Sequence, residues 1–448
     1  LPTLTSTPTP FETIISKPST IITVTSFTQE LYPYQKNGKC SLNEAIWAAQ
    51  TQIPQDTCPA GGNDGSTIVL QKGNYIFSAT ETISNVVLAD LSLPLPDIAN
   101  AAMPVIASQI HIEGHGAILQ RLGTKRFRFF DIHPAGALTL HNLTLMGGDP
   151  GDKLDGGALQ NMGFTRLIGV TLTENTAYDG GAISNLNEVV VIQSHIVSNT
   201  ARHIGGAIYA EGGQFTFIES AINRNAASDV GGALYGIRSA FVFTKSNIYA
   251  NKAVMGGAIF NEDSNLNIVA GSVLSANVAT QDMGNTNYAY GGGGIVSFGV
   301  DSVVQIEDSV LFANTALKSS GGALTNWSGT VTISNSVLNA NSAAMAGAIL
   351  DGYVGGVTTI TNSCIINNTQ SRTTSAPLIS NAKEPLNAQN NWWGVNDIER
   401  MTNYEITSAI APITGITNTR SVSQTPTATP KPSVIILPKL DQAPEFCK

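Results

Sequence analysis

Charge is scarce in this chain: Asp, Glu, Lys and Arg make up 12% of its 448 residues, and the 23 basic side chains are outnumbered by 32 acidic ones. A net charge of -9 with no basic cluster leaves no electrostatic footprint for nucleic acid or for an anionic membrane. No apolar run approaches the roughly 18 residues that span a bilayer, and no terminal set of amphipathic strands announces a barrel, so no transmembrane segment is expected. A phosphate-cradling loop, a catalytic triad and a CxxC pair with histidine partners are all missing, so no cofactor and no metal ligand set is assigned. No amphipathic pattern of period 3.6 persists through the middle of the chain, which excludes a helical repeat.

What the chain does have is a rhythm of glycine pairs followed by a small and an aliphatic residue. The copies are Gly156-Gly157-Ala158-Leu159, Gly180-Gly181-Ala182-Ile183, Gly205-Gly206-Ala207-Ile208, Gly231-Gly232-Ala233-Leu234, Gly256-Gly257-Ala258-Ile259, Gly293-Gly294-Ile295-Val296, Gly321-Gly322-Ala323-Leu324 and Ala346-Gly347-Ala348-Ile349, spaced by 24, 25, 26, 25, 37, 28 and 25 residues. Such regularity means stacked structural units. In phase with it runs an aliphatic residue followed three positions later by asparagine, from Leu172/Asn175 through Ile222/Asn225 to Ile365/Asn368. Between the two lies a third alternating run, such as Phe215-Thr216-Phe217-Ile218.

Three short strand-like runs per period fit one rung of a parallel β-helix. Equivalent strands then pair about 4.8 Å apart, so like side chains stack into columns and the aliphatic ones form a dry core. Asparagine suits a turn column because it bonds turn backbone, tolerates left-handed dihedrals and can bond the next asparagine in the stack. The fold class expected is all-β: a right-handed parallel β-helix with a short N-terminal capping helix and extended Thr/Pro-rich tails. Its division is 1–32, an N-terminal tail with a β-prone segment; 33–66, a disulfide-linked helical cap; 67–396, the β-helix; and 397–448, a C-terminal extended tail. Residues 84–106 read as an excursion, since Leu93-Pro94-Leu95-Pro96 cannot be interior strand.

Ser41-Leu42-Asn43-Glu44 makes a capping box, and Leu42, Ala45, Ile46, Ala48 and Ala49 give the following helix an apolar face. Laid across the first rung, that face covers both the core and an unpaired sheet edge. Each tail carries a β-prone run, Thr20–Thr25 and Ser433–Leu437, able to add a strand to this or another subunit. Of the four cysteines, Cys40 and Cys58 are expected to close a local bridge; Cys447 either pairs with Cys364 or links subunits. Disulfides, and a start at Leu1 without a charged, apolar leader, lead us to expect a processed protein, secreted or at the cell surface.

Cys40-Ser41-Leu42-Asn43-Glu44-Ala45-Ile46 resembles the CSLREAI motif that opens secreted bacterial right-handed parallel β-helix proteins, with Asn43 in place of arginine. The glycine and asparagine columns resemble the GGAI and FxxN repeats of polymorphic outer membrane proteins, with Leu or Ile instead of Phe, and Asn390-Asn391-Trp392-Trp393-Gly394 is similar to a late NNWWG element of such proteins. Over residues 36–396 this resemblance implies a surface or secreted β-helix with a role in adhesion.

Two places carry chemistry beyond the scaffold. The turn before the glycine pairs presents Asp152 and Asp155, then Tyr178 and Asp179, Arg202 and His203, and Asp229, which stacked rungs would gather into one patch; Asp155, Asp179, His203 and Asp229 are its candidate catalytic or binding residues, with Lys153, Glu174 and Arg224 nearby. The 37-residue period must extrude a loop in which Asp282, Tyr288 and Tyr290 are binding candidates. The function expected is a non-catalytic structural or adhesive shaft whose tails join copies into a filament, its partners being itself, a surface glycan or a neighbouring cell's protein. The alternative is a polysaccharide-binding or polysaccharide-cleaving β-helix.

Overall fold

The computed structural model describes residues 20–81, 100–280, 291–351, 355–370, 378–380, 386–388, 390–392, 434–435 and 447. Asp282, Tyr288 and Tyr290, and most of both tails, lie outside them. The chain winds as a right-handed parallel β-solenoid with one short helix among the described residues.

A rung holds four strands rather than three, as in Ile208–Glu211, Gln214–Ile218, Ala221–Asn223 and Ala226–Ala227. The fourth, of two residues, is too short to betray itself by alternation. Its equivalents nevertheless stack into an eight-stranded sheet; the strands after the glycine pairs form a ten-stranded one, and the other two runs share a 23-stranded sheet. Pairing is parallel and in register, so Ile183 sits between Leu159 and Ile208.

Register corrects one phase. Ile295, not Val296, pairs with Ile259 and Leu324, so the equivalent glycine pair is Gly292-Gly293 rather than Gly293-Gly294. Four successive glycines hid the phase, because only the aliphatic side chain that enters the core defines it. The excursion is also shorter than expected, since Ala101 and Ile106 bridge in parallel to Arg128 and Ile132.

The core is a set of columns. Aliphatic residues from Leu172 to Ile365 are buried, and Phe217 stacks on Phe243 with centroids 4.5 Å apart. Each fully buried aliphatic or aromatic side chain contributes about 1.5–3 kcal/mol.

Two polar ladders tie the corners. Along the asparagine column each amide oxygen accepts from the backbone and side chain of the previous rung's asparagine, as when Asn225 Oδ1 takes Asn199 N at 2.8 Å and Asn199 Nδ2 at 3.0 Å. The left-handed residue is not the asparagine but the one before it: Glu174, Ser198, Arg224 and Ala250 have φ of 55°, 58°, 54° and 56°. Glu174 and Arg224 thus mark a turn. A second ladder, unforeseen, uses serine hydroxyls, with Ser194 N donating to Ser220 Oγ and Ser220 N to Ser246 Oγ, each at 3.2 Å.

At both ends described segments of the chain's own termini extend the stack. The helix Leu42–Thr51 begins at the expected capping box, Ser41 N donating to Glu44 Oε2 at 2.9 Å, and buries all five residues of its apolar face. Asn43 donates to Glu81 Oε2 and to Ala102 O. Thr20–Thr23 adds a parallel strand to Ser66–Val69, and Val434–Ile435 adds one to Leu386–Asn387. Asn391 finishes the serine ladder by accepting from Ser363 N at 2.9 Å.

Disulfides join Cys40 to Cys58 and Cys364 to Cys447. They close separations of 18 and 83 residues. Loop-closure entropy assigns them roughly 3 and roughly 4.5 kcal/mol. Non-reducing peptide mapping is expected to recover those two pairs from a monomer; a covalent dimer through Cys447 would contradict it.

Candidate functional site

The turn before the glycine pairs brings all four candidate residues into one row along the solenoid. Gly180, Gly205 and Gly231 have φ of 58°, 62° and 68°, a left-handed turn that glycine makes without strain and that swings the chain into the next strand just after Asp179, His203 and Asp229. Rung stacking then aligns residues 24 to 26 apart: Tyr178 N donates to Leu154 O, His203 N to Tyr178 O and Asp229 N to His203 O.

Asp179 sits at the centre. Its Oδ1 lies 2.9 Å from His203 Nδ1 and accepts from Ile204 N at 3.1 Å, while its own N–H donates to Asp155 Oδ1 at 3.2 Å. On the other side His203 Nε2 is 4.0 Å from Asp229 Oδ2. The Tyr178 ring stacks on the imidazole with centroids 5.0 Å apart and is 38% exposed, leaving an aromatic surface beside the carboxylates.

Burial, and then the neighbouring Asp179 carboxylate, push the Asp155 carboxyl up to about 6. Burial also raises Asp179, against the hydrogen bond from Ile204 and the His203 charge. Because the folded state holds the Asp155 proton more tightly than the unfolded chain, with its aspartate near 3.9, this group's stabilisation is complete below about pH 4 and lost as pH rises through about 6. Asp155→Asn keeps the acceptor for Asp179 N. It should therefore gain melting temperature over the parent above pH 6, the difference vanishing near pH 4 in a thermal-melt series.

Asp152 and Arg202, on the same turns, belong to a separate ion network. Arg126 reaches Asp152 Oδ1 at 2.7 Å and Asp149 Oδ1 at 3.0 Å, and Arg202 reaches Asp149 Oδ1 at 3.2 Å. Exposed pairs of this kind contribute little stability.

An aromatic ladder on the adjoining sheet was missed. Tyr209 stacks on Tyr235 at 5.9 Å and 4°, and Tyr235 on Phe260 at 5.7 Å and 22°. The signal was an aromatic residue directly after Ile208, Leu234 and Ile259 in three consecutive periods. The three rings face one another, and the Tyr209 and Tyr235 hydroxyls donate to Glu211 and Glu262, so the ladder is chiefly scaffold.

Among the described residues, the group whose metal-ligating atoms all lie within 4.8 Å of one another is elsewhere: His111, Glu113 and His141. The fold is that of a parallel β-solenoid, with the carboxylates and imidazole aligned in a row along its side. No family model, no curated protein and no solved structure matches this chain.

Proposed function

We propose that this protein is a non-catalytic shaft, secreted or at the cell surface, that adheres to a neutral glycan through the row Asp155, Asp179, His203 and Asp229. The observation that carries this reading is the row itself: acceptors on four successive rungs, with Tyr178 beside them, line up along the axis as an extended polymer of hydroxyl donors requires. Carboxylates outnumber the one imidazole, which disfavours an acidic polymer. Two disulfides fit an oxidising compartment, as does the likeness to secreted β-helix proteins. The described tail strands are used by this chain's own ends, so a filament joined through the tails gains no support.

A glycan array probed with the full chain tests it. Retention of neutral polysaccharides, lost in Asp179→Ala/Asp229→Ala, is the expected result; no retention, or retention unchanged in the double variant, overturns it. A second reading, cleavage of the bound polymer, is favoured by Asp155 alone, a carboxyl near pH 6 beside a second carboxylate. Reducing ends released near pH 6 and abolished by Asp155→Asn would establish cleavage, whereas binding without release leaves adhesion.

A further inference from the structure

The outward face of the 23-stranded sheet, near the N-terminal end, carries a second cluster that the acidic row does not use. The strand Gln109–Arg121 places His111 and Glu113 two residues apart, hence on the same face. The next strand, Ala137–Met146, sets His141 directly opposite Glu113 in the parallel register. His111 Nε2 lies 2.8 Å from Glu113 Oε1, and His141 Nδ1 lies 2.7 Å from Glu113 Oε2. Two imidazoles from adjacent rungs thus converge on opposite oxygens of one carboxylate.

We infer that His111, Glu113 and His141 form a binding site for a divalent late first-row transition metal, with Zn²⁺ the ion of choice. Two imidazole nitrogens and a carboxylate are the donors that such ions take, while Ca²⁺ and Mg²⁺ prefer oxygen alone. Zinc bonds of about 2.0–2.1 Å in tetrahedral geometry hold neighbouring ligand atoms about 3.4 Å apart. The two nitrogen–oxygen contacts need therefore open by about 0.6 Å, and the two imidazole nitrogens, which already lie within 4.8 Å of each other, settle at about the same 3.4 Å around one carboxylate oxygen. Rotation about side-chain bonds supplies that without moving the backbone.

The backbone is well placed to hold the set. Ile110, Ile112 and Leu140, the inward residues alternating with the ligands, are fully buried in the core. Along the column, Val69 pairs with Glu113 and Ile168 with His141, so apolar side chains flank the ligands above and below. Beside His111 the neighbours in register are Thr67 and Thr139, with Arg166 one rung further on. The His141 side chain is 42% exposed, so a fourth coordination position opens to water, as in zinc sites with three protein ligands.

The test is calorimetric titration of the tag-free full chain with ZnCl₂, together with visible absorption on adding Co²⁺. One ion per chain and d–d bands of a nitrogen–oxygen cobalt site are expected, each weakened at least about tenfold in His111→Ala, His141→Ala and Glu113→Gln. His195→Ala, at an exposed position of the strand His195–Val197 and outside both clusters, should bind as the parent does. These outward side chains leave the core intact, and an unchanged circular dichroism spectrum verifies that the variants fold. Absence of binding at millimolar ion, or binding indifferent to both His111→Ala and His141→Ala, shows a hydrogen-bonded surface triad only and overturns the proposal.

Discussion

Gly206→Ala is expected to destabilise the solenoid by about 3–5 kcal/mol, the range reserved for severe core faults. The added Cβ would sit 2.1 Å from the carbonyl oxygen of Gly232 and 2.6 Å from the Ala226 carbonyl carbon, on the next rung. These are backbone atoms held in the ladder, where Gly206 N donates to Gly231 O at 2.9 Å, so relief requires prising two rungs apart. The same clash recurs along the column, Gly181 against Gly206 O at 2.3 Å and Gly232 against Gly257 O at 2.2 Å. Gly212→Ala is the control, since φ there is 67° and nothing lies within 4 Å. Only the left-handed strain of about 1–2 kcal/mol applies to it. Denaturant melts of the two variants, with hydrogen exchange over residues 205–234 to catch local opening, distinguish them; equal losses would show that the rungs can part cheaply.

Asn225→Ala should cost about 3 kcal/mol or more, because one deletion removes four buried hydrogen bonds and leaves a buried N–H without its acceptor. Asn225 Oδ1 serves two donors on Asn199, and Asn225 Nδ2 donates to Ile196 O at 2.9 Å and to Asn251 Oδ1 at 3.0 Å. Alanine takes the acceptor from Asn199 N and removes one hydrogen bond each from Asn199 Nδ2, Ile196 O and Asn251 Oδ1, around a residue 1% exposed. The neighbouring Arg224→Gly, by contrast, should be neutral or slightly stabilising, since φ of 54° there suits glycine and its side chain is not part of the ladder. Thermal melts of the pair test the assignment: a large loss at Arg224 and a small one at Asn225 would place the corner's work in the wrong residue.

The fold was legible because its cause is written at every period. An aliphatic residue that must enter the core, a glycine that must admit the next rung's carbonyl and an asparagine that must bond its successor recur at nearly fixed spacing, and strands in register translate that spacing into columns. The capping box was equally legible, being a contact between residues three apart. The phase at Gly292, the serine ladder and the two-residue strand were not. Each depends on which of several similar positions turns inward or pairs across a rung.

The candidate site divides in the same way. That Asp155, Asp179, His203 and Asp229 share a turn follows from the period, and the structure sets them in one row. That Asp152 and Arg202 leave that row for Arg126 and Asp149 does not follow from it, because side-chain direction at a turn varies from rung to rung. His111, Glu113 and His141 were invisible since the less regular early rungs carry no glycine column to fix their register.

By itself the sequence determined the solenoid, its helical cap and the columns that hold it together, since a repeat of identical residues can satisfy its core and its turn hydrogen bonds only by stacking upon itself. The tertiary structure alone decided which tail strand docks where, that Cys447 closes on Cys364, and which charged side chains meet. Those contacts join residues one rung or many apart at single, unrepeated positions, where no period announces the partner and only distance in space selects it.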